Sequence, residues 1–195
     1  MEEFISAKNE ELRNALIIAG IAELERSGLS GFSLRRVAAE CSISCAAPYR
    51  HFKSKDDMIL AIISYIGHRW NLLCNHIRST FEGDTRRALT EVCVANIRFW
   101  IANPNFRSIM ILDDRALGAM QLREKSKLTN GVRELVSQYC RENGIDGDGE
   151  AIMSFSLLSI IYGAVQMIGS SEIENTPEVM SMIRGCIEKA ISAQS

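Results

Sequence analysis

Apolar residues recur along this chain at three- and four-residue spacing, in stretches separated by short polar or glycine-bearing breaks. The first run, about 9–27, puts Leu12, Ala15, Leu16, Ala19 and Ala22 on one face and stops at Gly28, a residue suited to the left-handed turn that ends a helix. Leu34, Val37, Ala38 and Cys41 then form an i, i+3, i+4, i+7 stripe. Ser33 precedes it as an N-cap, with Phe32 and Val37 at hydrophobic-staple positions. After the turn Ser42-Ile43-Ser44, a short third helix is expected over 45–52. Ser44 would cap it, and Pro48 would lie near its first turn, where a missing N–H costs least. Lys53-Ser54 breaks the pattern again.

Ser54, followed by Asp56 and Asp57, opens a long fourth helix, since acids in a first turn suit the helix dipole. The spacing predicts helices over 55–82 and 84–102, a short one opened by Pro104, and then 115–143, 149–170 and 177–193. Asp113-Asp114 reads as a cap at a helix end, and Thr176-Pro177-Glu178 combines cap, N1 proline and first-turn acid. With only three prolines and little β-branched alternation, a β-sandwich is excluded. The fold class is all-α: a three-helix head, residues 1–54, on a larger helical body, residues 55–195.

Composition narrows the function. The 195 residues are 47% hydrophobic with a net charge of −2, which supports a packed core and excludes both disorder and a wholly basic surface. The charge is uneven, however. Within 33–55, Arg35, Arg36, Arg50, Lys53 and Lys55 face only Glu40, a net of +4, whereas 56–195 carries a net of −3. A basic patch at one end of an acidic chain is a nucleic-acid footprint. The six cysteines form no CxxC pair and read as small, reduced apolar residues of a cytoplasmic protein. The acidic N-terminus has no apolar stretch, so no signal peptide is expected. Residues 151–171 lack charge and are long enough to span a bilayer. Their serines, Tyr162, Gln166 and flanking acids favour a helix buried between other helices. Three histidines make no metal cluster, and no phosphate loop or nucleophile motif is present, so neither a cofactor, a metal nor an enzyme is expected.

Two short helices joined by a tight turn and braced by a longer one make a helix-turn-helix. The run Leu34-Arg35-Arg36-Val37-Ala38, Cys41-Ser42-Ile43-Ser44, Tyr49, His51-Phe52, Lys55 and Met58 resembles the DNA-binding head of the TetR family of bacterial transcriptional regulators. Ser42 stands where that family usually has glycine, and Cys45 occupies a recognition position often polar or basic. The resemblance implies that Ser33 and Ser44 lie near phosphates and that Arg35, Cys45, Ala46 and Ala47 face the major groove. Tyr49, His51 and Lys55 match backbone-gripping positions, and Arg50 reaches a phosphate or a guanine edge. Arg36 is either a DNA contact or a solvated surface charge. Phe52 is expected in the core.

In the body, Ile59, Ile63, Ile66, Trp70, Leu73 and Ile77 form one stripe of the fourth helix, and Met58, Ile62, Tyr65 and Leu72 a neighbouring one. In the family's fold this helix links head to cavity, which makes Tyr65, His68 and Trp70 candidate lining residues. On 84–102, Leu89, Val92, Cys93, Asn96, Phe99 and Trp100 share a face, placing an amide inside an apolar stripe. Its partners are core groups or a ligand. Tyr162 and Gln166 form a second polar pair in an apolar run, and Met110, Met120, Met153 and Met167 supply adaptable packing. The expected protein is a homodimer paired through its last two helices. It binds a pseudo-palindromic duplex operator as a repressor, is released by a small, largely apolar effector, and has no membrane partner. The alternative is a DNA-organising protein of the same fold without an effector.

Overall fold

A computed structural model of the chain describes residues 2–107 and 117–193. Met110 and Asp113-Asp114 lie outside the described residues, as does the predicted start of the 115–143 helix. Among the described residues there is no strand. Within them seven α-helices run α1 (Glu2–Gly31), α2 (Leu34–Glu40), α3 (Lys55–Thr80), α4 (Thr85–Ala102), α5 (Ala119–Asn143), α6 (Gly147–Gly169) and α7 (Pro177–Ser192), with 3-10 turns at Ala47–Arg50 and Pro104–Phe106. They fall into two compact units, one within Met1–His68 and Asn105–Ser126, the other within Arg69–Pro104 and Lys127–Ser195. Helix α3 supplies residues to both.

In the first unit, α1 starts seven residues earlier than its periodicity indicates and is interrupted at Gly28, whose φ of 63° and ψ of 179° lie where a Cβ is strained. The helical turn after it ends at Gly31. Leu16, Ile17, Ile21 and Leu24 of α1, Val37 and Ala38 of α2, Phe52, and Met58, Ile59, Ile62 and Ile63 of α3 are all buried. Gly20 lets α1 and α3 touch: a Cβ there would stand 2.8 Å from Met58 Cε and 2.9 Å from Ile62 Cδ1. Full burial of a side chain such as Phe52, only 1% exposed, is worth about 1.5–3 kcal/mol.

The second unit packs α4, α6 and α7 against one another. Asp84 caps α4 by accepting from Arg87 N at 2.9 Å, Asp146 caps α6 through Gly149 N at 2.8 Å, and Thr176 caps α7 through Val179 N at 3.2 Å. These caps, with Pro177 at the start of α7, begin the helices within two residues of the positions read from sequence. Helix α6 is long and apolar enough to cross a membrane, yet Met153, Leu157, Ile161, Ala164 and Val165 are buried inside the protein. Its other face is exposed: Ile152, Phe155, Tyr162 and Met167 are 52%, 76%, 42% and 41% accessible. Within the single chain this helix is therefore buried on one face and bare on the other. Leu72 and Leu73 likewise depart from their predicted stripes and are exposed, while Trp70 is buried.

Candidate nucleic-acid interface

The turn after α2 is built by backbone hydrogen bonds. Ser42 takes φ 55°, Ser42 N donates to Ala39 O at 3.0 Å, and Ile43 N donates to Ala38 O at 3.0 Å. This pair of bonds is the Schellman arrangement, so a serine fills the left-handed position usually given to glycine. The predicted third helix, 45–52, is a 3-10 turn over Ala47–Arg50 instead. Pro48 has no N–H to donate, and the surrounding bonds close three residues apart: Ala47 N to Ser44 O at 2.9 Å, Tyr49 N to Ala46 O at 3.3 Å, His51 N to Pro48 O at 3.0 Å. Ser44 therefore serves the turn through its carbonyl, and Ala46 occupies the N-cap position. Ser33 does start α2 in an extended conformation, but its hydroxyl makes no capping bond; its carbonyl receives Arg36 N and Val37 N, both at 3.1 Å.

This compact turn is anchored from below. Pro48 and Phe52 are buried, and the Arg13 guanidinium of α1 lies over the Phe52 ring at 5.3 Å. Ser54 and Asp57 cap α3 reciprocally: Asp57 N donates to Ser54 Oγ at 3.1 Å and Lys53 N to Asp57 Oδ2 at 2.8 Å. What remains outward is a set of basic, polar and small residues. Arg35, Ser44, Cys45, Ala46, Tyr49, Arg50 and Lys53 are exposed, and Ser33, Ala47, His51 and Lys55 are half-buried. Tyr49 is 55% accessible, so its ring is free to meet a partner. Lys55 Nζ lies 3.5 Å from Ser30 O.

Arg36 behaves differently. Its Nε donates to Glu23 Oε1 at 2.8 Å and its Nη2 reaches the same oxygen, Ser27 Oγ at 3.3 Å and the Gly31 carbonyl. Glu23 is 1% exposed, and the guanidinium donating to it holds its carboxyl below the usual carboxylate range against the cost of burial. The sequence reading passed over Glu23. The signal was present, because Glu23 continues the α1 row Leu12, Leu16, Ala19 at helical spacing, and an acid in a core row needs a partner.

The candidate ligand residues divide among separate places. In the second unit, Trp70 and Phe99 lie 5.6 Å apart, Phe99 and Trp100 meet edge to face at 5.5 Å, and Trp100 Nε1 donates to Asn96 Oδ1 at 2.9 Å. Tyr65 and His68 instead border a depression of about 380 Å³ in the first unit with Arg13, Asn14 and Asp57. Tyr162 lines an open groove of about 800 Å³ beside Phe155 and Arg133, and Gln166 is exposed. Tyr162 and Gln166 are thus not a polar pair in an apolar interior. They sit on the uncovered face of α6.

Residues 16–62 match the family model described as bacterial regulatory proteins, tetR family. A nucleoid occlusion factor, SlmA, of Shewanella loihica is 30% identical over 165 residues, covering 79% of this chain and 81% of that one. The chain belongs to the TetR family. Two solved structures share its fold: a TetR family transcription regulator of Marinobacter aquaeolei (TM-score 0.73, 19% identity, 97% and 98% of the two chains covered) and a transcriptional regulator of Rhodococcus (TM-score 0.71, 19% identity, 93% and 95%). The protein is accordingly a TetR-family transcription regulator, with a helix-turn-helix head on a helical body. Regulators of the TetR family bind DNA operators, usually as dimers, and are not enzymes. Among the described residues no three His, Cys, Asp or Glu side chains are grouped to hold a metal ion.

Proposed function

We propose that this protein is a cytoplasmic, homodimeric repressor whose residues 1–54 bind a pseudo-palindromic operator and whose residues 55–195 dimerise and take up a small, largely apolar effector. The observation that carries the reading is the outward collar of Arg35, Arg50 and Lys53 around the exposed turn Ser44-Cys45-Ala46. Cations at the margin grip phosphates while small residues approach base edges. One such head buries little DNA, so two are needed, about 34–36 Å apart. The exposed apolar residues of α6, with Met182 and Gly185 of α7, supply the pairing surface. Support for the effector is the aromatic cluster Trp70, Phe99 and Trp100, because Trp70 shares one unbroken helix with Lys55.

The test is selection of duplex DNA from a random pool by the purified protein, followed by native mass spectrometry for retained small molecules. Enrichment of a two-fold symmetric site, and its release by the retained compound, are expected. A pool without enrichment contradicts operator binding. A second reading has one specific support: the curated relatives are nucleoid occlusion factors, so this chain is alternatively a DNA-organising protein with no effector. Many scattered chromosomal sites, together with unchanged DNA affinity in the presence of any retained compound, would favour it.

A further inference from the structure

Two crossed charge pairs tie α1 to α2 in the head. Arg36 of α2 holds Glu23 of α1, and Arg26 of α1 lies 3.6 Å from Glu40 of α2. Glu23 is the buried member. Its Oε1 takes both Arg36 donors, while Oε2 accepts no hydrogen bond and has Arg26 Nη1 at 4.0 Å. The same Arg36 closes on Ser27 Oγ and on the Gly31 carbonyl, on either side of the Gly28 interruption. Every polar contact of this guanidinium therefore fixes the corner through which α1 hands the chain to α2.

That use conflicts with a role on DNA. An arginine can serve a phosphate only by turning donors toward it, and releasing Arg36 strands a carboxylate that is almost wholly buried. Arg35, next to it, is exposed and has no such tie. From this geometry we infer that Arg36 and Glu23 are positioning residues for DNA binding: the pair sets the angle of α2, and hence of the exposed turn Ser42–Ala46 that follows it, without itself touching nucleic acid. The inference rests on the DNA-binding reading of the head. It replaces both roles that the sequence left open for Arg36, a DNA contact and a solvated surface charge.

The sign of one substitution separates the two roles. Glu23→Gln keeps the shape and an acceptor but weakens the hold on Arg36. If Arg36 is a phosphate contact, freeing it strengthens DNA binding. If it positions α2, the same change weakens binding to the selected duplex, by about tenfold, or ~1.4 kcal/mol. Salt dependence supplies the second readout, since each phosphate-bound cation contributes about 0.9 to the slope of log K against log salt. Arg36→Met is expected to weaken binding while leaving that slope unchanged, whereas Lys53→Ala lowers it.

Because Arg36→Met leaves Glu23 unpaired and risks unfolding, the double variant Glu23→Met/Arg36→Leu is measured beside it, with circular dichroism at the assay temperature. The probes are the duplex selected by the wild type and a 30-base-pair random duplex. Positioning is supported by a loss confined to the selected duplex at constant slope. Stronger binding by Glu23→Gln, a slope lower by about one in the folded double variant, or unchanged discrimination between the duplexes would each overturn it. Failure of the wild type to bind either duplex contradicts the DNA-binding reading itself, a different result from any of these.

Discussion

Asn96 and Trp100 satisfy each other inside α4: the indole Nε1 donates to the amide Oδ1 at 2.9 Å, with both residues more than nine-tenths buried. The amide that stands out in the apolar row of this helix has a core partner one turn along. Asn96→Leu then removes an acceptor and orphans an indole N–H, which costs about 1–3 kcal/mol. Urea unfolding is expected to show that loss, and Asn96→Leu/Trp100→Phe should recover part of it, as coupled neighbours do. Equal midpoints for single and double variants would contradict the pairing.

Two backbone positions are expected to respond in opposite directions. Gly28→Ala places a Cβ at φ 63°, ψ 179°, and strain of about 1–3 kcal/mol lowers the melting temperature. Ser42→Gly relieves a left-handed serine at φ 55° and raises stability by about 0.5–1 kcal/mol. Thermal unfolding followed by circular dichroism reads both.

Acid should weaken the fold through paired carboxylates. Arg184 donates to both oxygens of Glu91, at 2.7 and 2.9 Å, and this holds the Glu91 carboxyl below its ordinary value of 4.5, as Arg36 does for Glu23. A depressed carboxyl contributes stability that is present above 4.5 and lost as pH falls through the lower folded value. Urea midpoints measured from neutral pH down to pH near 3 (about 1–2 units below the ordinary carboxyl value) are expected to drop. Arg184→Met should make that drop shallower by removing the pairing.

The pairing surface is tested at Phe155, whose ring is 76% exposed and contributes little to the single chain. Phe155→Glu is expected to leave helix content unchanged while driving the protein to a monomer in sedimentation at micromolar concentration. A folded variant that stays dimeric would move the interface away from α6.

Much of this architecture was legible because helix ends are written in local chemistry. Ser54 with Asp57 and Thr176-Pro177 each solve the same problem, unsatisfied backbone groups at a terminus, and solve it within a few residues. The collar was legible for a related reason, since exposed cations around a turn form a local pattern. Longer-range relations were not. Periodicity identifies a helical face but not what covers it, so the apolar run around Tyr162 and Gln166 did not reveal that α6 leaves both exposed in the single chain. The charge of Arg36 was visible and its partner thirteen residues earlier was not, because only the fold brings α1 and α2 together. Pro48, acceptable in a first α-turn, instead fixes a tighter 3-10 turn in a segment too short to average out one lost bond.

The central claim is that two copies of the head read one duplex, and hydroxyl-radical footprinting of the wild-type protein on its selected DNA tests it most directly. Two protected patches on one face of the helix, centred about 10 base pairs (or a whole multiple of a turn) apart, are predicted. They should fade together as salt rises and be lost together in Phe155→Glu. A single protected patch that survives in the monomeric variant, or a uniform footprint indifferent to sequence, would contradict the account.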